Sequence, residues 1–292
     1  MKTEILTLLR ETDGYVSGQE LCEKFGVSRT AVWKAINQLK EAGYEIEAVQ
    51  NKGYRLVSVP DILSESELQS VRKTRWIGEK IAFFDVVDST NTRAKQLAEE
   101  GAPNGTYVIA ERQDAGKGRR GRGFDSPAGQ GIWMTLVLKP EIDPNHASMI
   151  TLVTALAVSK AITDMTGRPA GIKWPNDIYW KDRKICGILI ENDLSGHNIS
   201  RSICGIGINV NQEVFRSEAP NPVSLRQITG REHDRRELLT HILQRIEIYY
   251  NGLRVEDPAV YSSEIATRYA RSLFRRRGYH PVSYTHLRAH ET

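Results

Sequence analysis

The chain is short of cysteine, of net charge and of long apolar runs, and each shortage removes a class of protein. Its three cysteines in 292 residues are Cys22, Cys186 and Cys204. Their spacing fits no zinc pattern, and an odd, scattered set builds no disulfide framework. They read as buried free thiols in a reducing cytosol. The formal net charge is only +4, so a nucleic-acid contact must come from a local patch and not from a whole-molecule field. The start, MKTEILTLLRETDG, has no signal-peptide core. No uninterrupted apolar run approaches the roughly 20 residues that span a bilayer. A cytoplasmic protein without a membrane partner is expected. There is no GxxxxGK[ST], which removes a P-loop NTPase. GKGRRG has the GxGxxG spacing, but RRGRGFDSP does not continue as a helix, so the dinucleotide-binding unit is excluded as well.

What is present divides the chain. A composition of 40% hydrophobic and 26% charged residues suits two or three globular domains. In residues 1–59, TEILTLLRE places Ile5, Leu6, Leu8 and Leu9 on one helical face. Ser17 caps a second helix, GQELCEKFG, which Gly26 ends. Ser28 caps a third, with Val32, Ile36 and Leu39 inward at i, i+4, i+7. YEIEAVQNKGYRLVS then alternates as two strands around Asn51-Lys52-Gly53. The pattern is a winged helix-turn-helix. Ser28, Arg29, Thr30, Trp33 and Lys34 are its expected contacts to phosphates and base edges of DNA, and Lys52 and Arg55 are its expected wing contacts. A protein-docking module would show the same pattern. Pro60-Asp61 marks a boundary, and the acidic SESELQS helix begins a connection over residues 60–79.

Residues 80–275 read as strands with mixed connections and helices on one side, an α+β domain with a mixed sheet. Between two apolar strands lies GKGRRGR, residues 116–122, with four cations and three glycines. The glycines make the loop costly to order, so it is expected to fold onto a ligand. A carboxylate attacking the α-phosphate of ATP is a chemistry that needs such a loop. Two like charges at 4 Å repel by about 4 kcal/mol at a partly screened site. Arginines closing over both groups remove that repulsion. An RNA-binding loop would be as basic, but would be flanked by aromatic stacking residues. Asp88-Ser89-Thr90-Asn91 falls at a strand end, either to hydrogen-bond a small polar ligand or simply to cap the next helix. Lys173-Trp174-Pro175-Asn176-Asp177 sets an aromatic plate beside two acceptors. Lys184 opens an apolar strand, RKICGILIE, as a candidate clamp for phosphate or carboxylate.

STN, QDAGKGRRGRGF, KWPNDIYWKDRKICGILIE and GIGINVN, behind a winged helix, together resemble the bifunctional biotin–protein ligases that double as biotin-operon repressors. The likeness runs from about residue 3 to about residue 275. It implies a catalytic domain related in fold to class II aminoacyl-tRNA synthetases and lipoate ligases. It implies that biotin and ATP form biotinyl-5′-AMP, and that a lysine of a biotin carboxyl carrier protein then takes the biotinyl group. By resemblance, Ser89, Thr90, Asn91, Gln113, Lys117, Gly118, Arg119 and Lys184 are biotin positions. Arg120, Arg122, Phe124, Trp174, Asn176 and Asn209 are ATP or adenylate positions. Arg119 retains the intermediate, Lys184 contacts biotin and the α-phosphate, and Asp177 is the candidate to orient or deprotonate the incoming lysine. Lys117 stands where the family usually has arginine and lacks the bidentate fork. Mg²⁺ is expected with ATP, held mainly by phosphates and not by a protein carboxylate cage. The resemblance also implies a homodimer when biotinyl-AMP is bound, presenting two recognition helices to operator DNA. The family continues into a small SH3-like domain. RRRGYHPVSYTHLRAHET shows no strand series, so residues 276–292 are expected to be an irregular, truncated or frame-shifted end. The rival expectations are a lipoate ligase and a ligand-sensing transcription factor without ligase activity.

Overall fold

The structure is a computed structural model that describes every residue except 119, 120, 122, 141, 143, 196–197, 217–220, 254–257 and 275–292. The expected tail and the arginines Arg119, Arg120 and Arg122 therefore lie outside the described residues.

The N-terminal unit forms as its caps dictate. Helices α1 (Lys2–Glu11), α2 (Gly18–Phe25) and α3 (Arg29–Glu41) precede the hairpin β1 (Glu45–Val49) and β2 (Gly53–Ser58). The Ser17 hydroxyl accepts from Glu20 N, the Ser28 hydroxyl from Ala31 N, and Gly26 closes α2 at φ 64°. Ile5, Leu6, Leu21, Val32, Ile36 and Leu39 meet in one core. Gly53 is required twice over: its φ is +111°, and a Cβ there would stand 2.0 Å from Val16 O. That closeness comes from Val16 and Tyr54, which exchange backbone hydrogen bonds of 2.9 and 2.8 Å.

The second unit is a seven-stranded sheet in the order β3-β4-β5-β9-β8-β7-β6. The strands are β3 (Ile81–Val87), β4 (Tyr107–Gln113), β5 (Gly131–Leu138), β6 (Gly171–Lys173), β7 (Asp177–Trp180), β8 (Arg183–Ser195) and β9 (Asn198–Asn209). Among the described strands only β3 and β4 pair in parallel, and a parallel pair needs a crossover, here through α5 (Thr90–Glu99). One sheet face packs on α6 (Ala147–Thr166), α8 (Arg235–Gly252) and α9 (Pro258–Arg271), burying Ile132, Met134, Cys186, Ile188, Ile206 and Ile208. Helix α6 is long and apolar enough to cross a membrane, but most of it is buried in this core. Helices are not confined to one side, as the sequence suggested. The crossover α5 covers part of the other face, where Ala94 and Ala98 meet Val108, Val137 and Ile203. The rest of that face is the candidate site. Cys186 and Cys204 are buried free thiols as expected, and burial pushes both up; Cys22 is only half-buried.

The connection between the units is bolted to α8. Within it the helix α4 spans only Glu65–Ser70. The fully buried Glu67 carboxylate accepts from Arg10 of α1, from the Tyr44 hydroxyl and from Arg236 Nη1 at 2.7 Å. Arg235, also fully buried, donates from Nε to Asp61 Oδ2 at 3.0 Å and from Nη1 to Glu111 Oε2 at 2.8 Å. Glu247 accepts the backbone N–H groups of Arg75, Trp76 and Ile77 at 2.9 to 3.1 Å.

Candidate functional site

A flat strip runs across the open sheet face. Gly207 of β9 lies between Trp133 of β5 and Gly187 of β8, and Gly187 in turn faces Asp177 of β7. One step along, Gly205 lies between Thr135 and Leu189. Side chains two apart share a strand face, so these glycines leave a shelf with nothing projecting from it. The shelf is closely used. The Phe124 ring sits 2.8 Å from where a Gly207 Cβ would be and 3.2 Å from one on Gly187. Phe124 also meets Trp133 edge-on, with ring centroids 5.7 Å apart. A Cβ on Gly205 would stand 2.1 Å from Asn91 Oδ1. Gly205→Ala is thus expected to displace Asn91 and weaken ligand binding at the shelf on the order of a hundredfold. Calorimetry reads this directly, and an unchanged dissociation constant would remove Asn91 from the site.

Lys184 reaches this face through a defect in the ladder. Ile178 pairs with Cys186 but Tyr179 pairs with Lys184, a register shift that leaves Ile185 extra. Ile185 and Cys186 are consecutive and both buried in the core. In a regular strand, residue 184 would point away from the face carrying Gly187. The bulge turns it back. Lys184 Nζ lies 2.7 Å from Asp177 Oδ1, both about a quarter exposed, and 3.2 Å from a notional Gly187 Cβ. Lysine, aspartate, shelf and aromatic ring are therefore together.

Ser89, Thr90 and Asn91 stand at the start of α5, all buried. Ser89 is the N-cap residue by position, but its side chain makes no capping hydrogen bond. The reading of these three as a cap alone is not what the structure shows. Gln113 Oε1 accepts from Thr90 N at 2.8 Å, and Gln113 Nε2 donates to Ser126 Oγ at 2.8 Å. Asn91 Nδ2 donates to Glu191 Oε2 at 3.0 Å, and Lys95 Nζ to Glu191 Oε1 at 2.6 Å. Burial pushes the Glu191 carboxyl up, but Lys95 and the Asn91 amide outweigh it and hold it below the usual carboxylate range. The basic loop folds back on itself: Phe124 N donates to Gly116 O at 2.9 Å, Lys117 bridges to Gly123, and the half-buried Gly118 lies between. Lys117 Nζ reaches Thr92 Oγ1 on α5 at 2.9 Å.

Three further expected positions lie at the strand ends of β6, β7 and β9. The Asn176 amide donates to Ile188 O, and its own backbone carbonyl accepts from Ile188 N at 3.0 Å, so it clamps β8. Asn209 Oδ1 accepts from Gln212 at 3.0 Å, and its Nδ2 reaches Lys184 O at 3.4 Å, behind the lysine. Trp174 is 74% exposed, after β6 and before its cis bond to Pro175. Thr135, Ser126, Glu191 and the three shelf glycines were not singled out from sequence. The signals existed: glycines at period two in GIGIN, and a lone polar residue in GIWMTLVL.

On the N-terminal unit, Ser28, Arg29, Thr30, Trp33 and Lys34 are all exposed on α3, Trp33 at 57%. Arg29 reaches Gln19 at 3.2 Å. On the wing, Arg55 is paired with Glu47 at 2.6 Å and, with Lys52, lies against the Tyr15 ring.

Comparison with known proteins fits both units. The Biotin/lipoate A/B protein ligase family matches residues 83–209, and an HTH domain matches residues 2–55. The Bifunctional ligase/repressor BirA of Bacillus subtilis is 43% identical over 239 residues, covering 81% of this chain and 74% of the relative. The chain belongs to the BirA family of bifunctional ligase/repressors. The family member from Escherichia coli is 32% identical over 66% of this chain and 59% of its own length. A biotin protein ligase from Aquifex aeolicus, solved with biotin and ATP, superposes with a TM-score of 0.58 at 32% identity, covering 67% of this chain and 78% of that one. The two matched units lie together in this one chain.

Proposed function

We infer that the chain is an ATP-dependent biotin–[biotin carboxyl carrier protein] ligase and a repressor that binds operator DNA. Biotin and ATP are its substrates. In the first step the biotin carboxylate attacks the α-phosphorus, the bond to the β-phosphate bridging oxygen breaks, and pyrophosphate leaves. In the second, the carrier's lysine amine attacks the acyl carbon of biotinyl-5′-AMP and AMP leaves. The observation that carries the assignment of residues is the bulge that aims Lys184 onto the glycine shelf beside Asn91 and Gln113.

The biotin head lies against Ser89, Thr90, Asn91 and Gln113, and its carboxylate points towards Lys184. Lys184 neutralises the carboxylate and the α-phosphate as they approach. Asp177, 2.7 Å from that ammonium, holds it in place and receives or orients the incoming amine. Lys117, Gly118, Arg119, Arg120 and Arg122 close over the two anions, and Phe124 slides from the shelf to cover the adenylate. Trp174, the exposed plate, supplies an adenine contact. Asn176 and Asn209, whose amides also reach Ile188 O and Lys184 O of β8, supply adenylate-side contacts. Mg²⁺ enters with ATP and is held by its phosphates. Residues 1–59 serve the operator through Ser28, Arg29, Thr30, Trp33, Lys34, Lys52 and Arg55. Residues 60–79 connect them to the ligase unit at 80–275. The adenylate favours a homodimer that presents two recognition helices. The whole activity is cytoplasmic and uses no membrane.

Incubating the protein with a biotin carboxyl carrier domain, Mg-ATP and either biotin or lipoate tests this reading by intact mass. One biotinyl addition on the acceptor lysine, and no lipoyl addition, is expected. An acceptor that gains no biotin, while pyrophosphate is not released, would sink it.

A further inference from the structure

Beneath the proposed biotin head runs a chain of polar atoms whose hydrogen-bond accounting does not close. Gln113 Oε1 lies 2.9 Å from Thr90 Oγ1. Thr90 Oγ1 lies 2.9 Å from Thr135 Oγ1, and Thr135 Oγ1 lies 2.6 Å from Asn91 Oδ1. These are three oxygen–oxygen contacts, but the two hydroxyls carry one proton each and the two terminal carbonyl oxygens carry none.

Neither end can supply the missing proton by turning over its amide. At one end, Glu191 is a carboxylate that only accepts, and it takes the Asn91 amide at 3.0 Å, which fixes Asn91 Oδ1 towards Thr135. At the other, Gln113 Oε1 must accept the Thr90 backbone N–H at 2.8 Å, and its amide is engaged by Ser126. With both ends locked as acceptors, one contact in the empty chain has no proton between its oxygens. Thr90, Asn91 and Thr135 are buried, at 3%, 5% and 0% exposure, so water does not readily complete it.

We propose that Glu191 and Thr135 are positioning residues that set the hydrogen-bond polarity of this pocket, so that it demands a ligand carrying an N–H donor. The inference rests on the biotin head lying against Thr90 and Gln113, as proposed above. A ureido ring brings such donors. A dithiolane ring brings none, which makes this chain the element that separates biotin from lipoate within a family that handles both. Glu191→Gln removes the lock. Its new amide donates to Asn91 Oδ1, Asn91 turns over and donates to Thr135, and every contact down to Gln113 Oε1 then has its proton. The empty site becomes satisfied and no longer needs the ligand's N–H.

The test is calorimetric binding, without ATP, of biotin and of its oxazolidinone analogues, in which one ureido N–H is replaced by a ring oxygen. For the unaltered protein, the analogue lacking the critical N–H is expected to bind at least about a hundredfold more weakly than biotin. In Glu191→Gln and Thr135→Val that ratio is expected to fall to about tenfold or less. Thr135→Ser, which keeps the hydroxyl, is expected to keep the ratio. Glu191→Gln is also expected to raise the melting temperature of the ligand-free protein, an effect that loss of a merely structural contact would not give. Gln113→Ala separates the two levels of the claim. If it weakens biotin binding but the ratio in Glu191→Gln matches the unaltered protein, the polarity lock is wrong. If Gln113→Ala leaves biotin binding unchanged, the head is not bound there, and both the placement and the lock are overturned.

Discussion

Lys184→Met should lower the rate of biotin-dependent pyrophosphate exchange by on the order of a thousandfold, with the fold intact. Removing one preorganised charge-stabilising group from a reaction centre costs about 10²–10³ in rate. The upper end applies here because the substitution does more than delete a cation. It leaves Asp177, now 2.7 Å from nothing positive, facing two incoming anions. The ammonium is 25% exposed, so thermal stability should hardly change. Lys184→Arg should not restore the rate. Gly187 stands against the lysine's tip, with the Phe124 ring close to the same glycine, and a planar guanidinium needs more room. Less than a tenfold loss in Lys184→Met would mean that the bulge aims this side chain at nothing that matters.

That bulge shows where reading the sequence stops. The winged helix was legible to the residue because its signals are local: Ser17, Ser28 and Gly26 cap and stop helices using neighbours three or four positions away. The strands around the basic loop were legible too, from apolar runs bounded by glycine and proline. Which way Lys184 points was not, because an extra residue in β8 is defined only against its partner β7. The same holds for Thr135. In GIWMTLVL it is one polar residue in an apolar strand, and its importance comes from Thr90 and Asn91, over 40 residues earlier in the chain. The backbone bonds of Asn176 and Asn209 were hidden in the same way, since Ile188 O and Lys184 O come beside their amides only through the sheet. Helix α5 lies on the shelf side because a parallel β3–β4 pair forces a crossover, a topological fact with no single-residue signature.

Arg235 was equally hidden, since an arginine opening the helix RRELLTHILQRIEIYY reads as solvated. Arg235→Met is expected to destabilise the protein by about 3–5 kcal/mol, the usual result of removing one partner from a buried ion pair. At roughly 2–4 °C per kcal/mol for a domain of this size, the melting temperature should fall by about 10 °C. The physical reason is what remains. Glu111 and Asp61, 17% and 39% exposed, both face the vacated site, and the same Glu111 carboxylate also holds Leu63 N at 3.0 Å. Burial already pushes the Asp61 carboxyl above its ordinary value even with Arg235 beside it. Without the guanidinium the Asp61 carboxyl should titrate higher still when folded than when unfolded. The sign follows: a folded-state acid with a raised pKa binds its proton more readily than the unfolded chain does. Stability lost at neutral pH therefore returns as pH falls through the folded pKa towards the unfolded one, about 4. Melts of both proteins at about pH 7.5 and about pH 5 should show the gap narrowing in acid. Adding Glu111→Gln to Arg235→Met should recover part of the loss at neutral pH, because the stranded charge is then gone. If the single variant melts within about 2 °C of the original at both pH values, the connection between the two units is held by its apolar contacts and the buried charges are incidental.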